Sequence, residues 1–148
     1  MKTISASRAS LALAVLCLSS LAVAQTAHNS AADHGSALER GRYLVEDVAR
    51  CGQCHTPRDS NGDEDRMRPL AGASLWLNPA IPVANWPLKV PRIGGAISAS
   101  DDELVRLLTT GVWKDGNRLR PPMPQFRFTS EDARAVVTYL RSVRTNPD

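Results

Sequence analysis

The stretch CGQCHTPR, from Cys51 to Arg58, places two thiols three residues apart with an imidazole directly behind the second. Three chemistries use a Cys-x-x-Cys pair: metal binding, dithiol redox exchange and covalent attachment of haem. Only the last of these also requires the adjacent histidine. The residues around the motif must therefore show which of the three chemistries they can serve.

The first 24 residues have the pattern of an export signal. Lys2 and Arg8 give a positive start, LALAVLCLSSLAV forms an apolar run, and the small residues AVA end at Ala24. The apolar run is shorter than the roughly 20 residues that span a bilayer, which favours a cleaved signal over a retained anchor. The sequence predicts a signal peptide over residues 1–24 and a periplasmic mature protein.

Charge and hydropathy argue against two classes of partner. The chain of 148 residues has 18 basic and 15 acidic residues, and loss of the signal would leave 16 and 15, a net charge of +1. Nucleic-acid binding relies on clustered basic charge, so the chain gives no electrostatic case for it. No second apolar run is long enough to span a membrane. We therefore expect neither nucleic-acid binding nor a membrane span in the mature chain.

Regular structure is expected to begin after a small, polar and flexible leader at residues 25–36, which shows no periodicity. From Ser36 onward apolar residues recur at helical spacing, which predicts a first helix running into Cys51. Six prolines then interrupt every candidate helix between residues 57 and 98. Loops of that length are uncommon in compact domains, so we expect a large bound cofactor to organise this one.

Two further helices follow the proline-rich segment. One begins at Ser100, whose side chain can form a capping box with Glu103, and it stops at Gly111. The other begins at Thr129, and its apolar stripe runs to about Arg144. The sequence thus predicts a helical protein with a long connecting loop.

Metal binding, dithiol exchange and a structural disulfide are poorly supported. A structural zinc site has four thiolate or imidazole ligands. Besides two histidines in the leader, the mature chain would offer only Cys51, Cys54 and His55 as such ligands. A thioredoxin-like site usually lies beside a βαβ pattern, and the chain shows no strand periodicity. A disulfide would enclose only a tiny loop and add little stability. Neither dithiol exchange nor a disulfide gives His55 a task.

Covalent haem attachment uses every residue of the motif. The thiols of Cys51 and Cys54 can add to the two vinyl groups of one haem, and His55 then lies beneath the ring as the proximal iron ligand. We therefore predict that the chain carries one covalent haem c.

The opposite face of the iron needs a methionine, a histidine or an open position for substrate. Met67 follows His55 closely, so little chain is left to reach the far face, and we expect Met67 to be a solvent-side loop residue. Met123 lies 68 residues after His55, within RPPMPQF, where prolines stiffen the segment. We predict Met123 as the distal ligand, with His34 of the leader as the alternative. An iron closed in this way passes electrons and performs no oxygen or peroxide chemistry.

These residues resemble the class I c-type cytochromes, in particular the monohaem cytochrome c domains associated with periplasmic dehydrogenases for alcohols, aldehydes and sugars. The resemblance runs from about Arg40 to Val143, and it rests on GRYLVE, CGQCHTPRD, PLAGA, DDELVRLLTTGVWKDG, RPPMPQF and TSEDARAVVTYLRSV in this order. It implies an all-α class I cytochrome c fold over residues 37–148, with three to five helices wrapped around one covalently bound haem c.

The same resemblance implies roles for single residues. Cys51 and Cys54 match the thioether cysteines, His55 the proximal ligand and Met123 the distal ligand. The family also uses a proline carbonyl to accept a hydrogen bond from the proximal imidazole, which fixes the ring as outer partners of metal ligands do. Pro69 is the candidate for that carbonyl.

Further residues are expected to support the haem. Gly41 and Tyr139 match the family's contact between the first and last helices, where a glycine lets a bulky side chain approach. Aromatic and basic side chains can line the haem pocket or pair with propionates. The candidates are Trp76, Trp86, Trp113, Arg92, Arg118, Arg120 and Arg127.

The resemblance implies a periplasmic electron-transfer protein and not an enzyme. Its haem would cycle between Fe(III) and Fe(II), taking electrons from a dehydrogenase and passing them to a downstream cytochrome or oxidase. The alternative is a haem sensor or peroxidase-like enzyme whose iron is five-coordinate or exchanges its sixth ligand. A third interpretation makes the chain a fixed subunit of a dehydrogenase complex.

Overall fold

Four helices and one two-stranded antiparallel sheet form the regular structure of residues 35–144, the part of the chain that the computed structural model describes. The predicted signal peptide at 1–24 lies outside the described residues. So does the predicted leader up to residue 34, which includes the alternative ligand His34. The predicted all-α architecture is confirmed, with a short sheet added to it.

The first helix, α1, ends earlier than predicted. It is α-helical over residues 35–43 and widens into a π-helical turn at Leu44–Val48. The helical backbone is then interrupted at Arg50, which has a left-handed φ of 50°. A separate short helix, α2, covers Gly52–His55. The prediction that the first helix runs into Cys51 was therefore wrong, and the motif forms a helical turn of its own.

Helix α3 begins and ends where the sequence predicts, and it covers Asp101–Thr110. The Ser100 hydroxyl accepts from the Glu103 amide at 3.2 Å, while the Glu103 carboxylate accepts from the Ser100 amide at 2.8 Å. This is the predicted capping box. Gly111 ends the helix with a left-handed φ of 72°, and its amide donates to the Leu107 carbonyl.

Helix α4 covers Ser130–Ser142. The Thr129 hydroxyl caps it by accepting from the Asp132 amide at 3.1 Å, which confirms the predicted start. Val143 is extended, so the helix ends two residues before the predicted Arg144. A difference of this size at a helix end is ordinary.

Helices α1 and α4 touch backbone to backbone at Gly41. A Cβ at this position would lie 2.0 Å from the Ala135 carbonyl oxygen and 2.8 Å from Tyr139 Cβ, so only glycine allows the approach. The contact between Gly41 and Tyr139 that the family resemblance implies is therefore confirmed. Tyr139 adds to it by donating its hydroxyl hydrogen to Glu46 in the π-helical turn of α1.

The proline-rich segment between α2 and α3 contains a sheet that the sequence did not reveal. Strand β1, Ala73–Ser74, pairs antiparallel with strand β2, Lys89–Val90. Residues 75–88 form an excursion between the strands, closed at its base by a hydrogen bond from the Leu75 amide to the Leu88 carbonyl at 2.9 Å. Two residues per strand are too few for an alternating pattern to appear in the sequence.

The apolar core lies between α1, α3 and α4. Val45 of α1, Leu104 of α3 and Val136 of α4 are 1%, 7% and 2% exposed, and the proline-rich segment adds Leu70 at 5%. Amphipathic faces of the three helices therefore supply most of the buried apolar surface. None of the helices in residues 35–144 has the length and apolar character needed to cross a membrane.

We predict that Gly41→Ala destabilises the protein by about 3 kcal/mol or more. The added methyl group would overlap the Ala135 carbonyl, and overpacked sites typically cost about 1–3 kcal/mol even where neighbours can yield. The midpoint of urea unfolding, followed by circular dichroism, measures the effect.

Gly35→Ala is the matched control for this variant. Gly35 is exposed in the same helix, and a Cβ there meets no other atom within 4 Å. Because alanine is the better helix former, this substitution should leave the midpoint unchanged or raise it. Equal midpoints for the two variants would contradict the close contact of α1 with α4.

Candidate haem site

A large apolar cavity lies among α1, α3, α4 and the proline-rich segment. Its volume is about 970 Å³, at the upper end of the range of about 300–1,000 Å³ that is usual for ligand pockets. The helix faces that form the core also line the cavity, through Leu44, Leu104, Leu108, Val136 and Leu140. The cavity can therefore hold a large and mainly apolar group.

Helix α2 presents the Cys-x-x-Cys-His motif to this cavity. Cys51, Cys54 and His55 all line it. Residues three and four positions apart share one face of a helix, and these spacings relate Cys51 to Cys54 and to His55. One helical turn thus brings two sulfur atoms and one imidazole to the same space.

A backbone carbonyl holds the His55 ring in one orientation. His55 is 5% exposed, and its Nδ1 lies 2.8 Å from the Pro91 carbonyl oxygen. A carbonyl can only accept, so Nδ1 carries the proton and Nε2 keeps its lone pair. Burial lowers the pKa of His55, and the bond to Pro91 opposes that shift only in part. The imidazole is therefore neutral, the form that binds a metal through Nε2.

The carbonyl that orients the imidazole belongs to Pro91, and the prediction of Pro69 was wrong. Leu70, the residue after Pro69, has a left-handed φ of 55°. Its amide donates to Thr56 Oγ1 at 3.0 Å, and its carbonyl accepts from the Ile93 amide at 3.0 Å. These two bonds fasten the segment around Ile93 beside α2, which brings the Pro91 carbonyl to the imidazole.

The two cysteines are free thiols with no disulfide between them. Burial raises the pKa of Cys51 to about 11, whereas a redox dithiol is activated by a lowered pKa. Within residues 35–144, no group of three or more His, Cys, Asp or Glu side chains is placed to hold a metal ion by itself. The surroundings of Cys51 therefore do not favour disulfide exchange, and the described part of the chain offers no closed metal site beside the motif.

Met123 lies in the wall of the same cavity, and Met67 does not. Met67 is 71% exposed, in agreement with the solvent-side position predicted for it. Met123 is half-buried, and its amide donates to the Arg120 carbonyl at 3.1 Å, which closes a turn in the RPPMPQF segment. The fold thus brings Met123 and His55 to one cavity, as the predicted distal ligation requires. The iron–sulfur bond itself stays a prediction.

Four of the candidate supporting residues line the cavity: Trp113, Arg92, Arg118 and Arg120. The three arginines are exposed at its edge. Arg92 is already held in place, because its Nε donates to the Gly94 carbonyl at 2.8 Å. Guanidinium groups in such positions can pair with the carboxylates of a bound haem. Pairing with propionates stays a prediction for all of them.

The other three candidates do not line the cavity. Arg127 donates to the Phe126 carbonyl at 2.7 Å, and Trp86 Nε1 donates to the Leu77 carbonyl at 3.0 Å. Trp76 bonds to the backbone of the Cys-x-x-Cys-His motif instead. Trp76 and Trp86 therefore do not line the haem pocket, and the pairing of Arg127 with a propionate stays a prediction.

The donors and the volume of the cavity fit a covalently attached haem. Two thiols match its two vinyl groups, a neutral imidazole and a thioether are established axial ligands, and apolar walls suit the macrocycle. Cys51 and Cys54 would hold the ring, and His55 and Met123 would bind its iron. Fold and site together define a helical protein built around covalent haem.

Comparison with known families agrees with this class. Residues 38–144 match the family model described as cytochrome c. The match covers well over half of the chain, and the chain belongs to the cytochrome c family. The resemblance noted in the sequence, and the fold it implies, are confirmed.

Several known cytochromes are similar to this chain. The fructose dehydrogenase cytochrome subunit of Gluconobacter japonicus is 35% identical over 115 residues, which cover 74% of this chain and 23% of that protein. A diheme cytochrome c-type protein of Cereibacter sphaeroides is 36% identical over 111 residues, with 71% and 35% covered. The cytochrome c subunit of alcohol dehydrogenase (quinone) of Gluconobacter oxydans is 30% identical over 118 residues, with 74% and 24% covered. The chain thus spans about a quarter to a third of the length of these relatives.

We predict that Thr56→Val destabilises the protein by about 1–3 kcal/mol, the usual cost of leaving a buried donor unsatisfied. Thr56 is 4% exposed, and valine would keep its shape while removing the acceptor of the Leu70 amide. Thr56→Ser keeps the hydroxyl and should recover most of the loss. Urea unfolding compares the variants, and a Thr56→Val protein as stable as Thr56→Ser would refute this role of the hydroxyl.

Proposed function

We propose that this chain is an electron-transfer domain with one covalent haem c, and that it is not itself an enzyme. The observation that carries the proposal is that His55 and Met123 line one apolar cavity together with Cys51 and Cys54. A bound haem would supply a one-electron couple between Fe(III) and Fe(II). Because the imidazole and the thioether would take both axial positions, no open position would remain for oxygen or peroxide chemistry.

One haem per chain is supported by the sequence. The chain holds a single Cys-x-x-Cys-His motif, and each such motif attaches one haem. A diheme protein is among the relatives, but the second haem of that protein has no matching motif here. The proposed cofactor is therefore one haem c, held by Cys51 and Cys54.

The proposed electron donor is a dehydrogenase. Cytochrome subunits of fructose dehydrogenase and of alcohol dehydrogenase (quinone) are similar to this chain, which supports a partner of that class. The proposed acceptor is a downstream cytochrome or oxidase. The chain spans only about a quarter of the length of those two relatives. The support for these partners is therefore sequence similarity over that part of each relative. This similarity is compatible with a fixed subunit of a dehydrogenase complex and also with a free electron carrier.

The proposed location is the periplasm. The support for it is the pattern of charged, apolar and small residues over positions 1–24, which is typical of a secretory signal. A mature protein that begins near Gln25 and lacks those residues would be the expected result of mass spectrometry on protein exported by its host. A mass that includes residues 1–24 would count against export by cleavage.

The absorption spectrum of the haem-loaded protein tests axial ligation by Met123. A bound methionine sulfur gives the ferric haem a weak long-wavelength sulfur-to-iron band. We expect wild-type protein to show this band and Met123→Ala to lose it. Met67→Ala is the matched control, because Met67 is exposed and away from the cavity, and it should keep the band. A haem stain after denaturing electrophoresis tests covalent attachment in the same samples.

Carbon monoxide separates electron transfer from the sensor or peroxidase-like alternative. If the sulfur of Met123 closes the iron, ferrous wild-type protein should bind carbon monoxide slowly and Met123→Ala at least about tenfold faster. Each 1.4 kcal/mol or so of bonding that must first be broken slows the reaction by about that factor. Equally rapid binding by wild-type protein would overturn the electron-transfer proposal in favour of the alternative.

A further inference from the structure

One backbone carbonyl within the motif lacks its usual helical donor. In α2 the Thr56 amide donates to the Gly52 carbonyl at 2.9 Å. The next bond in the series would run from residue 57 to the Gln53 carbonyl, but Pro57 has no N–H. The Gln53 carbonyl, directly before Cys54, therefore needs a donor from outside the helix.

Two side chains supply donors to this carbonyl. Arg58 Nη2 lies 2.7 Å from the Gln53 carbonyl oxygen, and Trp76 Nε1 lies 3.0 Å from it. The Arg58 guanidinium also lies 5.5 Å from the centroid of the Trp76 ring, in cation–π contact. We name this group of Arg58, Trp76 and the Gln53 carbonyl the Gln53 clamp.

The Gln53 clamp holds a positive charge close to a haem attachment site. Among the residues that the structure describes, Arg58 forms no salt bridge. Its other hydrogen bond is to the Gly62 carbonyl at 3.5 Å, so no contacting carboxylate offsets its charge. The charge-assisted bond to Gln53 lies one peptide bond away from Cys54.

We propose that Arg58 and Trp76 are positioning residues for electron transfer, which fix the Gln53 carbonyl and hold the Arg58 charge where it favours the ferrous state. This inference rests on the proposed function. Reduction adds one electron to the iron, and a fixed cation nearby stabilises the state with the extra electron. The Gln53 clamp therefore raises the reduction potential of the haem.

Trp76 contributes orientation to the Gln53 clamp. Its side chain is 55% exposed, and it is the second residue of the 75–88 excursion, which contains no Asp, Glu, Lys or Arg. The indole bonds to the same carbonyl as Arg58 and lies against the guanidinium. Without the indole, the Arg58 side chain is free to turn toward solvent, where water and salt screen its charge.

Spectroelectrochemical titration of the haem-loaded protein tests the inference. We expect Arg58→Gln to lower the reduction potential, and Arg58→Lys, which keeps the charge, to retain most of the wild-type value. Trp76→Phe should lower the potential by less than Arg58→Gln. Trp86→Phe is the matched control and should keep the wild-type potential, because Trp86 makes its indole bond to the Leu77 carbonyl, away from the motif.

The sulfur-to-iron band of each variant shows whether Met123 is still bound, so that a change in potential can be assigned to the Gln53 clamp. A purely structural role would lower the midpoint of urea unfolding and leave the potential unchanged. An unchanged potential in Arg58→Gln with the band intact would overturn the inference. If Arg58→Gln loads no haem, Trp76→Phe decides, and a potential equal to that of Trp86→Phe overturns the inference.

The same titration separates this inference from the proposed function. A wild-type protein without a reversible one-electron couple would overturn electron transfer itself. A normal wild-type couple that Arg58→Gln and Trp76→Phe leave in place would overturn only the role of the Gln53 clamp.

Discussion

The helix faces that form the apolar core of this protein also form the wall of its cavity, and the rest of the structure depends on that shared surface. The mainly apolar walls of this cavity of about 970 Å³ lack packing partners unless a group fills it. A large apolar group held there would bury the same helix faces that pack in the core.

The long segment between α2 and α3 is organised by a few bonds to the motif helix. The Leu70 amide bonds to Thr56, the Leu70 carbonyl bonds to Ile93, and the Gly72 amide donates to the His55 carbonyl at 2.8 Å. The Pro91 carbonyl, toward the far end of the same segment, accepts a hydrogen bond from the His55 imidazole. A chain section with little regular structure is thus fixed by His55 and its neighbour Thr56, which explains how so many prolines are tolerated there.

Features encoded by neighbouring residues were predictable from the sequence. The caps at Ser100, Gly111 and Thr129 depend on residues three or four positions away, and the cysteines and histidine of the motif lie within about one helical turn. The sequence favours Met123 over Met67 as the distal ligand because the length of chain after His55 restricts which side chain can reach the far face of a haem. These signals are local or purely geometric, and the fold agrees with them.

Features that depend on distant residues were not predictable from the sequence. Nothing near Pro91 distinguishes it from the other five prolines of residues 57–98, because its role arises from bonds made by Leu70. The helix is interrupted at Arg50 by a left-handed backbone conformation, which the sequence does not indicate because the residue is not glycine. The bond from Trp76 to the Gln53 carbonyl joins residues 23 positions apart. Contacts of this kind join residues far apart in the sequence, where residue spacing gives no signal.

The bond between His55 and Pro91 separates two stages in the assembly of this protein. The residues proposed to attach the haem lie within Cys51–His55, so that chemistry would need only one short segment of the chain. The acceptor that aims the imidazole lies 36 residues further along the chain, so the ligand geometry exists only after the long segment has closed. Attachment of a haem by Cys51 and Cys54 would therefore depend on local residues, whereas ligation by an oriented His55 would depend on the closed long segment.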